Sequence, residues 1–314
     1  MKRLDTVTLK QLRALQVVSE TGSISVAASN LSLTPPAVHN QIKQLETSFG
    51  CRLLRRDGAE GFTPSPEGEV LLRAQHKLRA ALENAVHEID SLGKGLSGIV
   101  VLGVVSTGKY FAPRLVALLR SALPDVEVIL KIGNRSEILA ALTAGELHLA
   151  IMGRPPRLPE VHANVIGEHP HLMVAPPDHP LIDGPREVKD ILSQTFIMRE
   201  SGSGTRILTM RFLDELGRGQ DFARIEMDSN ETIKQAVIAG LGVAILSGHT
   251  VYDELKAGRL VAVAIPGLPI IRHWFVVYPA GVELTQTAVS VLTWLKNNAG
   301  DHLPDIEGLQ LPQA

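Results

Sequence analysis

The spacing of apolar positions divides the chain into an α-helical head, one long helix and a strand-helix body. Leu9, Leu12, Leu15 and Val18 recur every three residues, predicting a first helix that stops at Thr21-Gly22. Ser23 can cap a short helix carrying Ala27, Ala28 and Leu31, and Ser32-Leu33 make a turn. Thr34 is placed to cap the next helix, whose first turn accepts Pro35 and Pro36 because no amide hydrogen is needed there. Val38, Ile42, Leu45 and Phe49 share one face of that helix, and Gly50 ends it. Leu53-Leu54 begin a strand, Asp57-Gly58 supply a turn, and Gly61 to Thr63 return beside it as a wing.

After Gly68 no breaker interrupts the chain until about Leu92. Leu71, Ala74, Leu78, Ala81, Ala85 and Leu92 keep heptad spacing, and Leu82 and Ile89 widen the stripe. A seam of Leu and Ala on a helix leaving a small head has nothing of its own to pack on, so residues 67–92 are expected to pair with a second copy through Leu71, Leu78, Leu82 and Ile89. Gly93, Gly95 and Gly98 mark a hinge at 93–98. Beyond it strands and helices alternate: strands at 99–105, 126–132 and 147–152 with helices between them, then a second set from Val161 and a return in Ile271 to Tyr278 and the helix from Thr285. These βαβ units predict a mostly parallel sheet folded into two α/β lobes, 99–160 with 267–300, and 161–266. The crossings are expected near 153–159 and 266–269. Residues 301–314, polar and Pro-containing, read as a loose tail.

Composition sharpens this picture at three points. The net charge of −2 hides an uneven spread, because residues 1–60 carry eight Lys/Arg against five Asp/Glu and the remainder 23 against 28. A basic head on an acidic body follows. Cys51, the one cysteine, excludes an internal disulfide and fits a reducing cytoplasm. The first twenty residues, with their charges, are no signal peptide, and no run reaches membrane-spanning length.

The outward face of the 35–49 helix is Pro35, Pro36, His39, Asn40 and Lys43, polar and free of acids, as suits a helix in a DNA major groove. With Ser23 and Thr34 at the helix starts and Arg52, Arg55 and Arg56 along the wing to grip phosphates, these residues form the candidate contact with double-stranded DNA. In the body, Gly103 to Lys109 has P-loop spacing, but Tyr110 stands where a hydroxyl should hold Mg²⁺, which argues against a nucleotide cradle. Polar turns recur instead at strand ends: Ser106-Thr107-Gly108, Asn134-Arg135-Ser136, Arg154, Arg199 with Ser201, Ser203, Gly204, Thr205 and Arg206, then Asn230 and His249. Each alone is what a helix cap requires. Together, at the carboxyl ends of strands, they face one inter-lobe cleft suited to a small anionic effector, with phosphorylated metabolites and nicotinamide nucleotides as candidates. No catalytic or metal-ligand spacing is present, so neither enzyme activity nor a metal is expected.

Ala27-Ala28, Leu31, Thr34, Pro36-Ala37-Val38, Ile42, Leu45-Glu46, Gly50, Leu53 and Arg56 resemble, in order and spacing, the N-terminal signature of LysR-type transcriptional regulators. Pro35 and His39 depart from it where the family carries Gln and Ser or Thr, and Pro64 to Gly68 is displaced by one residue from the family's wing motif. The resemblance implies a winged helix-turn-helix domain at 1–66, a linker helix and an effector domain like periplasmic binding proteins. It also implies a homodimer assembling into a homotetramer, binding to promoter inverted repeats, and contact with RNA polymerase. The runs 133–138, 152–156 and 200–206 resemble the CbbR subgroup, implying activation of carbon dioxide fixation (Calvin cycle, RuBisCO) genes. The alternatives are a LysR-type regulator of another metabolic operon and, from a different class, a cytoplasmic solute-binding protein, for which the basic winged head would have no use.

Overall fold

The computed structural model describes residues 6–57, 61–92, 98–182, 187–298 and 300–306. It divides into two compact units, residues 1–85 and 86–314. Of the hinge expected at 93–98, residues 93–97 lie outside the described residues and Gly98 already opens a strand.

In the first unit, α1 (Leu9–Thr21) opens with a capping box in which Thr8 and Gln11 exchange side-chain and backbone bonds. Leu12, Leu15 and Val18 are buried, whereas Leu9, in the first turn, is exposed. α2 (Ile24–Leu31) ends at Ser32 in the left-handed region, and α3 (Pro35–Phe49) ends at Gly50 with φ 71°. Both ends follow from the need for a residue tolerating positive φ after the last turn. Val38, Ile42 and Leu45 of α3 close the core against Leu12, Leu15, Ala27 and Ala28. The small pair lets α1 and α2 approach. β1 (Leu54–Asp57) and β2 (Gly61–Pro64) form the antiparallel wing. α4 (Pro66–Leu92) starts where the Ser65 hydroxyl accepts the Gly68 amide at 3.0 Å. A Cβ at Gly68 would run into the Leu53 carbonyl oxygen, so the displaced wing motif keeps its glycine for close approach.

Along α4, Val70, Leu78, Leu82, Val86 and Ile89 are exposed. Leu71 is a correction to the seam: it packs on the head's own core with Leu72, one turn before Gln75 bonds to Gln16 at 2.7 Å. The first turns of α4 are thus part of the head, and the unpartnered stripe begins beyond them.

The second unit holds β3 (Gly98–Val105), a 3-10 turn (Ser106–Gly108), α5 (Ala112–Ala122), β4 (Val126–Gly133), α6 (Arg135–Ala144) and β5 (Leu149–Met152). There follow β6 (Val161–Ala175), α7 (Val188–Leu192), β7 (Phe196–Arg199), α8 (Gly204–Gly217), β8 (Arg224–Met227) and α9 (Asn230–Ile238). The unit closes with β9 (Ala244–Ser247), α10 (Gly248–Lys256), β10 (Val261–Ala262), β11 (Ile270–Pro279) and α11 (Gln286–Asn297).

The expected mostly parallel sheet is mixed. β3 pairs parallel with β4 and β5, but β11 runs antiparallel to both β5 and β6, and β6 antiparallel to β9 and β10. The cause is the length of β6. Its first half, through Ile166, packs in the first lobe's core with Trp274, Val276 and Val277, while Leu172 to Ala175 belong to the cores of the second. The chain therefore crosses between lobes inside β6, near His169 to His171, instead of at 153–159. The return crossing lies in the antiparallel partner, near Ile270 to Arg272. The start of the expected loose tail is also packed: His302 and Ile306 are buried, and Leu303 lies against the first core. Among the described residues no helix is long and apolar enough to cross a membrane.

Candidate DNA interface and effector pocket

On the head, Thr34, Pro35, Pro36, His39, Asn40 and Lys43 are all exposed, on the face of α3 opposite Val38, Ile42 and Leu45. Ser23 caps α2 through the Val26 amide at 3.4 Å. Thr34 occupies the N-cap position of α3 but makes no side-chain cap bond, contrary to the expected capping. The buried side of Glu46 fixes the turn into the wing, one carboxylate oxygen accepting the Leu53 amide at 2.9 Å and the other meeting Arg52 at 3.3 Å. Arg52 itself remains exposed, so this pair holds it weakly. Arg55 bonds Thr63 at 3.2 Å across the wing, and Arg56 lies 5.8 Å over the Phe62 ring. Arg55 and Arg56 stand on the hairpin and Arg52 on the turn that leads into it from α3.

In the second unit a cavity of about 280 Å³ opens between the lobes. The first lobe lines it with Thr107, Arg135, Gly153, Arg154, Pro155 and Arg157, and the second with Gly204, Thr205, Ile207, Leu208 and Arg211. His169, His171 and Arg272 reach it from the crossing strands. Five arginines thus line a space with no acidic lining among the described residues, one of them, Arg211, already paired with Glu215 at 2.8 Å on its own helix. Arg135 donates to the Arg154 carbonyl oxygen. Burial, then the neighbouring charge of Arg154, pulls the Arg135 guanidinium below its ordinary pKa. Such self-repulsion is relieved by an anion.

Of the residues expected to hold an effector, Thr107, Arg135, Arg154, Gly204 and Thr205 line this cavity. The others lie outside it, most of them in structural roles. Asn134 is the N-cap of α6, in a capping box with Glu137. Arg199, 3% exposed, binds Glu200 at 2.6 and 2.8 Å, Asn230 at 2.8 Å and, across the lobe junction, Ser106 at 3.1 Å. Arg206 is held by Glu226 and the Arg199 carbonyl. Ser136 faces the Gly202 carbonyl at 3.5 Å, and Lys109 meets Glu231 at 3.5 Å, so these groups bridge the lobes directly. His249 accepts the indole N–H of Trp274 at 3.1 Å in the core. Ser203 is the buried N-cap of α8, and Ser201 is exposed outside the cavity lining. Gly108 is buried in a 3-10 turn four residues before α5 begins, and Gly103 sits inside β3 against Leu147, so the glycines of the P-loop-like run are packing residues.

Residues 9–69 match the bacterial regulatory helix-turn-helix proteins of the lysR family, and residues 93–300 match the LysR substrate binding domain. The chain belongs to the LysR family. The family's members are DNA-binding transcriptional regulators, and the curated relatives are regulators, not enzymes. The HTH-type transcriptional regulator CbbR of Cereibacter sphaeroides is 51% identical over 307 residues, covering 97% of this chain and 99% of the relative. CbbR of Xanthobacter flavus is 40% identical, covering 96% and 91%. The regulatory domain of Synechocystis PCC6803 CcmR, solved in complex with 2-PG, is 33% identical with a TM-score of 0.60, covering 65% of this chain and 98% of that one. Full-length CbnR complexed with its target DNA shares the fold at 16% identity and TM-score 0.70, covering 94% and 100%.

Within this LysR-family effector domain, sequence reading missed Arg157, Arg211, Arg272, His169 and His171. One signal was available for Arg154, Arg157 and Arg272: residues 147–159 and 260–282 contain no Asp or Glu. Arg199 and Arg206, by contrast, have Glu200 adjacent and Glu226 on the neighbouring strand.

Proposed function

We propose that this LysR-family regulator controls carbon dioxide fixation genes from the cytoplasm in response to a small anionic metabolite held between its effector lobes. The observation that carries the ligand class is the acid-free cavity of five arginines. The gene class is supported by CbbR relatives matching nearly the whole chain, and a small effector in this domain by a related regulatory domain solved with 2-PG. At about 280 Å³ the cavity favours compact phosphorylated acids over nicotinamide nucleotides, since ligand pockets of about 300–1,000 Å³ serve drug-sized molecules.

The head would read a promoter inverted repeat through His39, Asn40 and Lys43 of α3, with Arg52, Arg55 and Arg56 on phosphates. Two heads are brought together by the exposed stripe Leu78, Leu82, Val86 and Ile89, and the dimers associate as a tetramer. Effector binding favours one lobe arrangement, which alters how the heads hold DNA and meet RNA polymerase. Leu78→Asp places a charge in the seam and is expected to dissociate the assembly in sedimentation; an unchanged assembly removes Leu78 from the interface.

The deciding experiment reads thermal unfolding of the effector domain by tryptophan fluorescence, since Trp274 and Trp294 both lie there. A ligand at 100 times its dissociation constant stabilises by about 2.7 kcal/mol. Three-carbon phosphates and sugar phosphates are expected to raise the melting temperature. A response confined to neutral or aromatic compounds overturns the anion pocket, and absent footprints upstream of carbon fixation genes overturn the gene class.

A further inference from the structure

His169 is an anomaly in the cavity wall. It is 3% exposed, and neither ring nitrogen has a hydrogen-bond partner within the protein. A buried donor or acceptor left unmatched costs about 1–3 kcal/mol, so a polar ring kept in this state beside a cavity needs a reason. The ring is fixed by its faces, stacked on Trp274 with centroids 3.8 Å apart and 14° between planes. Gly153, itself in the cavity wall, admits it closely: a Cβ there would stand 2.7 Å from His169 Nδ1. His171 lies next to it, ring centroids 4.2 Å apart, its Nδ1 3.2 Å from the His169 carbonyl oxygen. Both rings therefore line the same cavity as the arginines, His171 tied to one backbone carbonyl and His169 with neither ring nitrogen matched.

We propose that His169 and His171 contact the anion in the cleft, and that the pair takes up a proton as a ligand carrying two or more negative charges enters. This rests on reading the cleft as an anion pocket. The surroundings set the sign. Arg154 and Arg157 face the pair from the loop after β5, Arg135 from α6, Arg272 from the neighbouring strand, and Arg211 from α8, where Glu215 pairs with it at 2.8 Å. His249 on α10 adds a third imidazole 6.1 Å from His169, and His302 lies behind Phe111. No carboxylate lines the cavity among the described residues. Without ligand, burial first and neighbouring histidines second hold His169 well below its ordinary pKa, and burial holds His171 at about 4, so both are neutral at pH 7. A dianion reverses the local field and offers acceptors, both of which favour the charged ring. The ligated pKa then lies above the free one, so affinity strengthens as pH falls through the ligated value, by up to about tenfold per pH unit for one proton. The crossing strands carry the pair, so protonation places charge at the lobe junction where β6 and β11 pass.

Inorganic sulfate is the probe, because it stays fully ionised across the range and its own titration cannot mimic the effect. Its dissociation constant for the full chain is measured at pH 6, 7 and 8 by tryptophan-detected melting, and proton uptake by calorimetry in buffers of different ionisation enthalpy. Wild type is expected to bind sulfate at least about threefold more tightly at pH 6 than at pH 8, with net proton uptake. His169→Phe with His171→Phe keeps one ring on Trp274 and a second beside it and should bind with no pH slope, while His162→Gln, altering an exposed histidine elsewhere on β6, should retain the slope. Should the double variant fail to fold, buffer-dependent calorimetry on wild type decides alone. Sulfate binding that is equally tight at all three pH values, without proton uptake, overturns the histidine assignment and leaves the anion pocket standing. Failure of sulfate and of every phosphate compound to stabilise at any pH overturns both.

Discussion

The arginines on the two sides of the lobe junction have the same chemistry and opposite employment. Arg199 and Arg206 are matched to Glu200 and Glu226, and Arg199 also holds Asn230 and Ser106, so their charges are neutralised by the fold. Across the junction, Arg154, Arg157 and Arg272 line the cavity with no carboxylate paired to them among the described residues. A neutralised buried cation holds structure together. An unneutralised one in a cavity opposes the closed domain until an anion arrives, so stabilisation by ligand and destabilisation without it have one cause. Carboxylate partners thus separate Arg199 and Arg206 from Arg154, Arg157 and Arg272; Arg211 lines the cavity but is already paired with Glu215, so it adds less unneutralised charge there.

The sharpest break in this comparison comes from Arg199. Arg199→Ala leaves Glu200 and Asn230 without their buried partner, and loss of one member of such a pair costs about 3–5 kcal/mol. Urea unfolding followed by tryptophan fluorescence should show this loss whether or not ligand is present. A variant as stable as wild type would mean that Arg199 is not structural. Arg272→Ala tests the opposite side. It removes a repelling charge, so the ligand-free domain should be as stable as wild type or slightly more so. Its response to three-carbon phosphates should weaken by about 1.5–3 kcal/mol, one charge-assisted hydrogen bond, roughly a ten- to hundredfold loss of affinity. An unaltered phosphate response would remove Arg272 from the contact set.

What was legible in the sequence follows the range of the interactions. The head's helices, their caps and Gly50 are set by residues within one or two turns, and they could be read locally. The strands and helices of the body were likewise legible where apolar runs were continuous, as in β3 and β5. β6 was not, because its first half mixes exposed residues such as His162, Ala163 and Val165 with half-buried ones and Gly167 and Pro170 interrupt its middle; only pairing with β11 makes it a strand. α10 was obscured by its own start, where Ser247, Gly248 and His249 resemble a binding turn, yet His249 is committed to Trp274. Individual arginines failed for the same reason: whether a guanidinium is spent depends on a carboxylate one residue away in Glu200 but twenty residues away in Glu226. Local sequence suggests the first and is silent on the second.

The same distinction between spent and unspent polar groups separates the two helix starts of the head, and here the expected effect is smallest. Ser23 accepts the Val26 amide, while Thr34 makes no cap bond and stands exposed beside His39 and Asn40. Replacing a side chain that caps costs about 0.5–2 kcal/mol, and the 3.4 Å length of the Ser23 bond puts it at the low end. Ser23→Ala should therefore lower protection of the α2 amides in hydrogen exchange of the full chain. Thr34→Ala should leave α3 protection as it is, since its hydroxyl caps no helix, and weaken binding to a promoter fragment if the proposed contact face includes it. Fluorescence anisotropy with labelled promoter DNA measures the second effect. If Thr34→Ala instead loosens α3 and binds DNA as wild type does, its hydroxyl is a cap in solution and the contact face begins at Pro35.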